Sequence, residues 1–326
     1  MSAIVITADP AVTVAQDNPA ITAVVPVSAQ PYAYNSLSGL PTLGTAAALN
    51  AGVSANDAVQ LDASGRLPAV DGSQLINLPR GFNCGRLVFS SSTQITFQPC
   101  KGNLILINGA VYQIPSGGVT VTNSGLSAST LYYVYAYISS GTLTLELSTT
   151  GHSTSATAGN VGTEIKTGDD TSSLVGMVYT NASIQFVYSA TQRLVNSWFN
   201  RIPQQGFLYS GSSVNWALTG AIAELNSAAR ITFLSWADQV VSINYVISFF
   251  NSASGAVLNF YPYMDAAAIS GDASTVNGDG TGRVLAASAA ASVTLAEGFH
   301  TSSLFGSMSG GTASVYSLTH NVLVSG

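Results

Sequence analysis

Three histidines (His152, His300, His320) and four glutamates (Glu146, Glu164, Glu224, Glu297) hold much of the acid–base chemistry open to this 326-residue chain. Glu297 and His300 are the most suggestive pair, three residues apart in the run AEGFH. Read as a loop, that run would let a carboxylate and an imidazole bind a sugar or a metal ion together. Motifs that commit such residues to catalysis are missing. There is no G-x-S-x-G nucleophile elbow and no H-E-x-x-H zinc helix. His152 falls in the polar run GHSTSATAG, read as a loop, and His320 in the strand-like SLTHNVLVS. Glycoside hydrolysis needs two carboxylates across one sugar bond. Glu146 lies in the alternating run TLTLELS and reads as a surface strand residue. NGDGTG at 277–282 lacks the spaced carboxylates and closing glutamate of an EF-hand loop and reads as a turn. The sequence therefore predicts no catalytic residue, no metal site, no cofactor and no enzyme activity.

The aromatics point to binding instead. Trp216, Trp236, Tyr245, Tyr261 and Tyr263 crowd the last 120 or so residues. Aromatic faces stack on sugar rings while Asn, Asp and Ser bond hydroxyls. Tyr261-Pro262-Tyr263 would present two rings from a strand end, whereas Trp236, in the alternating ITFLSW, reads as core. Tyr261, Tyr263, Glu297 and His300 are the glycan-binding candidates.

Composition narrows the classes further. Charged residues make up 7 % of the chain, against roughly 25 % in an ordinary soluble protein. With 47 % hydrophobic residues the chain is no disordered tail. Two lysines, Lys101 and Lys166, cannot flank a coiled-coil seam. A net charge of −6 argues against nucleic acid as a partner. No 18-residue apolar run spans a membrane, and MSAIVITADPAVTV shows no secretory signal. Assembly in a bacterial cytoplasm is expected, which makes Cys84 and Cys100 two buried thiols rather than a disulfide.

The elements that would position these side chains are almost all strands. Residues 1–34 alternate apolar positions but are broken by Pro10, Pro19, Pro26 and Pro31, as in an extended arm. Residues 35–80 run through brief apolar pieces and Asp/Gly turns, such as Asp62-Ala63-Ser64-Gly65, too short for a core of their own. They suit a shaft shared by three chains. Residues 81–203 read as a β-domain, with Asn108-Gly109 a hairpin signal. Leu194, Val195, Trp198, Phe199 and Ile202 follow helical spacing, so 190–203 reads as a short helical joint. Residues 204–326 read as a second β-sandwich or jelly roll. The fold class is all-β, without the strand–helix alternation of a parallel α/β enzyme.

The segment LGTAAALNAGVSANDAVQLDASGRLPAVDGSQLINLP resembles the collar-and-shaft repeats of tailed-phage fibres. NGAVYQIPSGGVTVTNSGLSASTLYYVYAY, GTEIKTGDDTSSLVGMVYT and ATQRLVNSWFNRI are similar to a module of phage and prophage virion proteins, including head spikes of gene-transfer agents; FLSWADQVV and AEGFHTSSLFG resemble the domains that follow it. The resemblance implies a homotrimeric fibre or spike on the outer surface of a virion. The proline-broken arm, which lies outside the resemblance, is expected to hold capsid, neck or tail proteins, and the C-terminal domain would meet host surface polysaccharide such as capsule. No catalytic residues come with it. A capsule depolymerase and a ligand-free collar or decoration protein are the alternatives, the former disfavoured because no long β-helix repeat is present.

Overall fold

Chain contacts divide the protein into Met1–Ile76 and Asn77–Gly326. A computed structural model describes residues 83–326 except 212–215, 219, 252, 270–273, 280–282 and 312. The arm (1–34), the shaft (35–80) and part of the 277–282 turn thus lie outside the described residues. Within them the chain is all-β. The one helical turn is a 3-10 turn at Ser227–Ala229, and no helix among them is long and apolar enough to cross a membrane.

The first half supplies β1 (Gly85–Ser91), β2 (Gln94–Pro99), β3 (Leu104–Ile107), β4 (Ala110–Gln113), β5 (Val119–Thr122) and β6 (Leu131–Ser139). It continues with β7 (Thr142–Ser148), β8 (His152–Thr154), β9 (Glu164–Lys166), β10 (Asp169–Tyr179), β11 (Gln192–Arg193) and β12 (Val195–Ser197). β1, β2 and β5 form a three-stranded sheet. A six-stranded sheet runs β7-β6-β10-β9-β8, with β12 beside β10. Leu87, Ile95 and Phe97 from the first sheet meet Val134, Ala136 and Leu145 from the second in one core. The Asn108-Gly109 hairpin forms as expected. Both residues take positive φ (49° and 73°), the geometry that lets a two-residue turn join β3 and β4 without splaying them. In β10, Gly176 is required by a close approach. A Cβ there would lie 2.6 Å from Leu87 Cδ2 and 2.7 Å from the Asn196 carbonyl oxygen.

The second half supplies β13 (Gln204–Ser210), β14 (Trp216–Leu218), β15 (Ala223–Glu224), β16 (Ile231–Ser235), β17 (Val240–Asn251) and β18 (Ser254–Met264). β19 (Ala267–Ala268), β20 (Ser274–Asp279), β21 (Val284–Thr294), β22 (Gly298–Met308) and β23 (Ala313–Val324) complete it. Here a seven-stranded sheet, β11-β16-β22-β18-β19 with β15 and β20 at its sides, faces a five-stranded sheet, β13-β23-β17-β21 with β14 beside β23. Alternation sends Ile243, Tyr245, Ile247 and Phe249 of β17 inward, onto Leu258 and Phe260 of β18 and Leu304 of β22. Asn277–Asp279, expected in a turn, belong to β20.

The joint is not helical. β12 pairs with β10 of the first sandwich, and β11 pairs in parallel with β16 of the second. Each sandwich offers this segment a sheet edge, and those ladder bonds override the local 3.6-residue spacing. Asn196 of β12 then donates its amide to the Leu234 carbonyl (3.1 Å) and to Gln239 Oε1 (3.0 Å). The Trp236 indole donates to the Ser197 carbonyl at 3.0 Å.

Candidate functional site

In β18, Ala256, Leu258, Phe260 and Met264 point into the core. The intervening Asn259, Tyr261 and Tyr263 therefore stand on the outer face of the seven-stranded sheet. The Tyr263 ring stacks on Phe305 of β22, with centroids 3.8 Å apart and planes 16° from parallel. Tyr261 lies directly across the ladder from Phe305. Glu224 of β15 lies across from Phe305 on its other side. Arg230 grips Glu224 with two bonds, Nε to Oε1 at 2.7 Å and a second nitrogen to Oε2 at 2.6 Å. On the far flank the Thr275 hydroxyl donates to Asn259 Oδ1 at 2.7 Å. Three partly buried rings thus sit between a charged pair and an amide–hydroxyl pair. Such a surface offers ring faces to the C–H side of a sugar and polar groups to its hydroxyls.

Glu297 and His300 do not join this surface, nor each other. β22 begins at Gly298, so His300 points to the inner face, and Glu297, just ahead of the strand, reaches the first sandwich. His300 is 6 % exposed. Its Nε2–H donates to the Ala296 carbonyl at 2.8 Å, and its Nδ1 bonds Asp265 Oδ2 at 2.7 Å. Asp265 and Ala266 form the positive-φ turn between β18 and β19 (φ 51° and 63°). Asp265 Oδ1 also accepts from the Thr301 N–H at 2.8 Å. His300 therefore pins a turn from inside the sandwich, which corrects the expectation that it faces a glycan.

Glu297 is likewise taken up internally. Its Oε1 accepts from the Tyr133 hydroxyl at 2.6 Å, and its Oε2 lies 2.9 Å from His152 Nε2. His152 Nδ1 lies 2.5 Å from Glu164 Oε2, and the Thr154 hydroxyl donates to Glu164 Oε1. An imidazole with a carboxylate at each nitrogen donates to both only as imidazolium. Accordingly the bond to Glu297 raises the His152 pKa, with burial opposing it and Glu164 adding to it. Burial pushes the Glu297 carboxyl up, but the bonds from His152 and Tyr133 outweigh it and leave the carboxyl below its ordinary value. The Tyr133 hydroxyl is pushed up by burial and by Glu297. Aromatic rings enclose this relay. The Tyr133, Trp198 and Trp236 rings lie 5.6, 5.5 and 5.9 Å from the His152 ring, and the Arg201 guanidinium sits 4.6 Å over Trp198. The whole is a clasp between the two sandwiches.

Sequence reasoning placed His152 in a loop, whereas it stands on β8. Its partner Glu297 is 145 positions away, and no local pattern signals such a pairing. The third histidine, His320, is fully buried, stacked on Tyr245 at 4.2 Å and bonded to Ser302 and the Ala229 carbonyl. Burial lowers its pKa to about 4. Among the described residues no group of three or more His, Cys, Asp or Glu side chains could hold a metal ion.

No protein-family model matches the chain, and no curated protein matches it. Among solved structures it is similar to the VP2 subviral particle of infectious bursal disease virus, at 14 % identity, 76 % of this chain, 78 % of that chain and TM-score 0.26. It is also similar to the insecticidal delta-endotoxin Cry8Ea1 from Bacillus thuringiensis (10 %, 72 %, 51 %, TM-score 0.23). A third is BuGH86 in complex with neoagarooctaose (7 %, 73 %, 33 %, TM-score 0.22). The chain spans about half the length of the endotoxin. Likeness at this level carries no argument about what the chain does.

Proposed function

We propose that this chain is a virion component, a homotrimeric fibre or spike of the tailed-phage and gene-transfer-agent kind, whose second sandwich binds host surface polysaccharide without cleaving it. The observation that carries the binding reading is the outer-face stripe of Tyr261, Tyr263 and Phe305, flanked by Glu224–Arg230 and Asn259–Thr275. The low charge of the chain and its phage-like shaft motif support the virion reading. Each site would be shallow, so three copies per spike and many spikes per particle supply the avidity.

The test is retention of the purified full chain on immobilised capsular polysaccharide, with sugar release followed in parallel. Retention without release is expected. Tyr261→Ala with Tyr263→Ala should weaken monovalent binding by about 1 kcal/mol per ring, roughly fivefold each. Retention of the double variant equal to the parent would remove the stripe from the site, and released sugar would make the chain a depolymerase.

A further inference from the structure

The outer face of the five-stranded sheet is unlike the rest of the molecule. Its long strands β13, β17, β21 and β23 contain no Asp, Glu, Lys or Arg. Their one titratable side chain besides tyrosine, His320, points inward and is held neutral by burial. On the outside stand Phe207, Tyr209, Val246, Phe250, Tyr316 and Leu323, each 37–64 % exposed. The other outward positions are Ser, Ala, Thr and Asn, with Gln205 of β13, Val240 of β17 and Val284 of β21. Asn244 and Asn321, directly paired across β17 and β23, line a shallow open trough of about 790 Å³ along this face. A large sheet face that is part apolar, part amide and hydroxyl, and free of charge, suits a surface of its own kind. A charged partner finds no counter-charge here, and a lipid surface would leave the amides without partners.

We infer that this face is where copies of the chain meet, with each five-stranded sheet turned toward a common three-fold axis. This rests on the three-copy assembly proposed above. β17 and β23, of 12 residues each, with β21 (11 residues) and β13 (7 residues) beside them, make a face up to about 40 Å long and about 19 Å wide. That is at most about 760 Å² per chain, close to the ~800 Å² each partner gives a standard interface. Three such sheets, each about 19 Å wide, closed as a triangular prism would each lie about 5.5 Å from the axis, near half the ~10 Å spacing of packed sheets. One layer of side chains from each copy then fills the interior. The prism also brings edge strand β21 of one copy to the β13 edge of the next, covering edges that would otherwise template aggregation.

The test uses the full chain carrying Val246→Cys, on this face, or Val161→Cys, on the first sandwich and 71 % exposed. Each is treated with a short bismaleimide, beside the parent chain as the background for Cys84 and Cys100. Mass is measured by light scattering before treatment. Three times the 33.4 kDa chain mass, with covalent dimers from Val246→Cys alone, is the expected result. A three-fold mass with no cross-link above background at Val246→Cys would overturn the inference and leave the trimer standing, its contacts elsewhere. A monomeric or dimeric mass would overturn both.

Discussion

The two sheets of the second sandwich bury the same interior and differ on the outside. One end of the seven-stranded sheet is sealed by the first sandwich, through Leu234, Trp236 and Phe299 packed on Tyr135, Leu174 and Met177. The rest of that face carries stacked rings and a guanidinium–carboxylate pair. The five-stranded sheet carries large exposed side chains and no charge in its four long strands. Alternation decides which residues point out on either sheet. The kind of residue at the outward positions decides what those faces can meet. Rings beside charged and amide groups suit a hydroxylated ligand, whereas an uncharged mosaic suits another copy of itself.

The largest effect should come from breaking the seal. Trp236 is 1 % exposed, touches the His152 ring and bonds the Ser197 carbonyl. Trp236→Ala should cost about 3–5 kcal/mol in chemical denaturation. A loss under about 1 kcal/mol would mean that the sandwiches hold together by other means.

Acid should act next, and in opposite senses at two histidines. His320 is lowered to about 4, so its contribution is complete above the ordinary value near 6.5 and is lost as pH falls from there through about 4. That amounts to about 3 kcal/mol. Stability measured at pH 7 and pH 4 should fall by this order, and a flat profile would contradict the buried neutral assignment. His152 is raised, so its contribution is present below about 6.5 and is lost as pH rises through its raised value. Glu297 is lowered, so its part is present above about 4.3 and is lost as pH falls through its lowered value. The clasp is therefore firmest between about pH 4.3 and 6.5. His152→Asn should remove the alkaline loss while leaving the acid loss due to His320.

The smallest effect is expected on the ring-bearing face itself. Arg230 is 48 % exposed in its pair with Glu224, so Glu224→Gln should change stability by less than about 1 kcal/mol. A larger loss would make the pair a structural element of the sheet rather than a flank of the binding surface.

Much of the fold was legible because it is local. The strand-like runs showed as β17 and β18, with Tyr261 and Tyr263 read as presented from a strand end, and Asn108-Gly109 fixed a hairpin by its positive-φ preference. What failed depended on distant partners. The joint read as a helix because its apolar spacing fits one, yet two sheets compete for its backbone. Glu297 and His300 looked like a pair because they are close in sequence. The start of β22 between them sends one across to Tyr133 and His152 and the other inward to Asp265. His152, the hub of the clasp, sits in a run with no alternation and bonds residues 12 and 145 positions away.

The division of labour between the two outer faces can be read in one experiment, hydroxyl-radical footprinting of the assembled full chain with and without capsular polysaccharide. In a single chain Tyr209 and Tyr316 are 64 % and 49 % exposed. The account predicts that both are protected in the assembly whether or not polysaccharide is present, and that Tyr261 and Tyr263 are modified without it and protected with it. Tyr209 and Tyr316 reacting as freely exposed tyrosines, or Tyr261 and Tyr263 indifferent to polysaccharide, would contradict it.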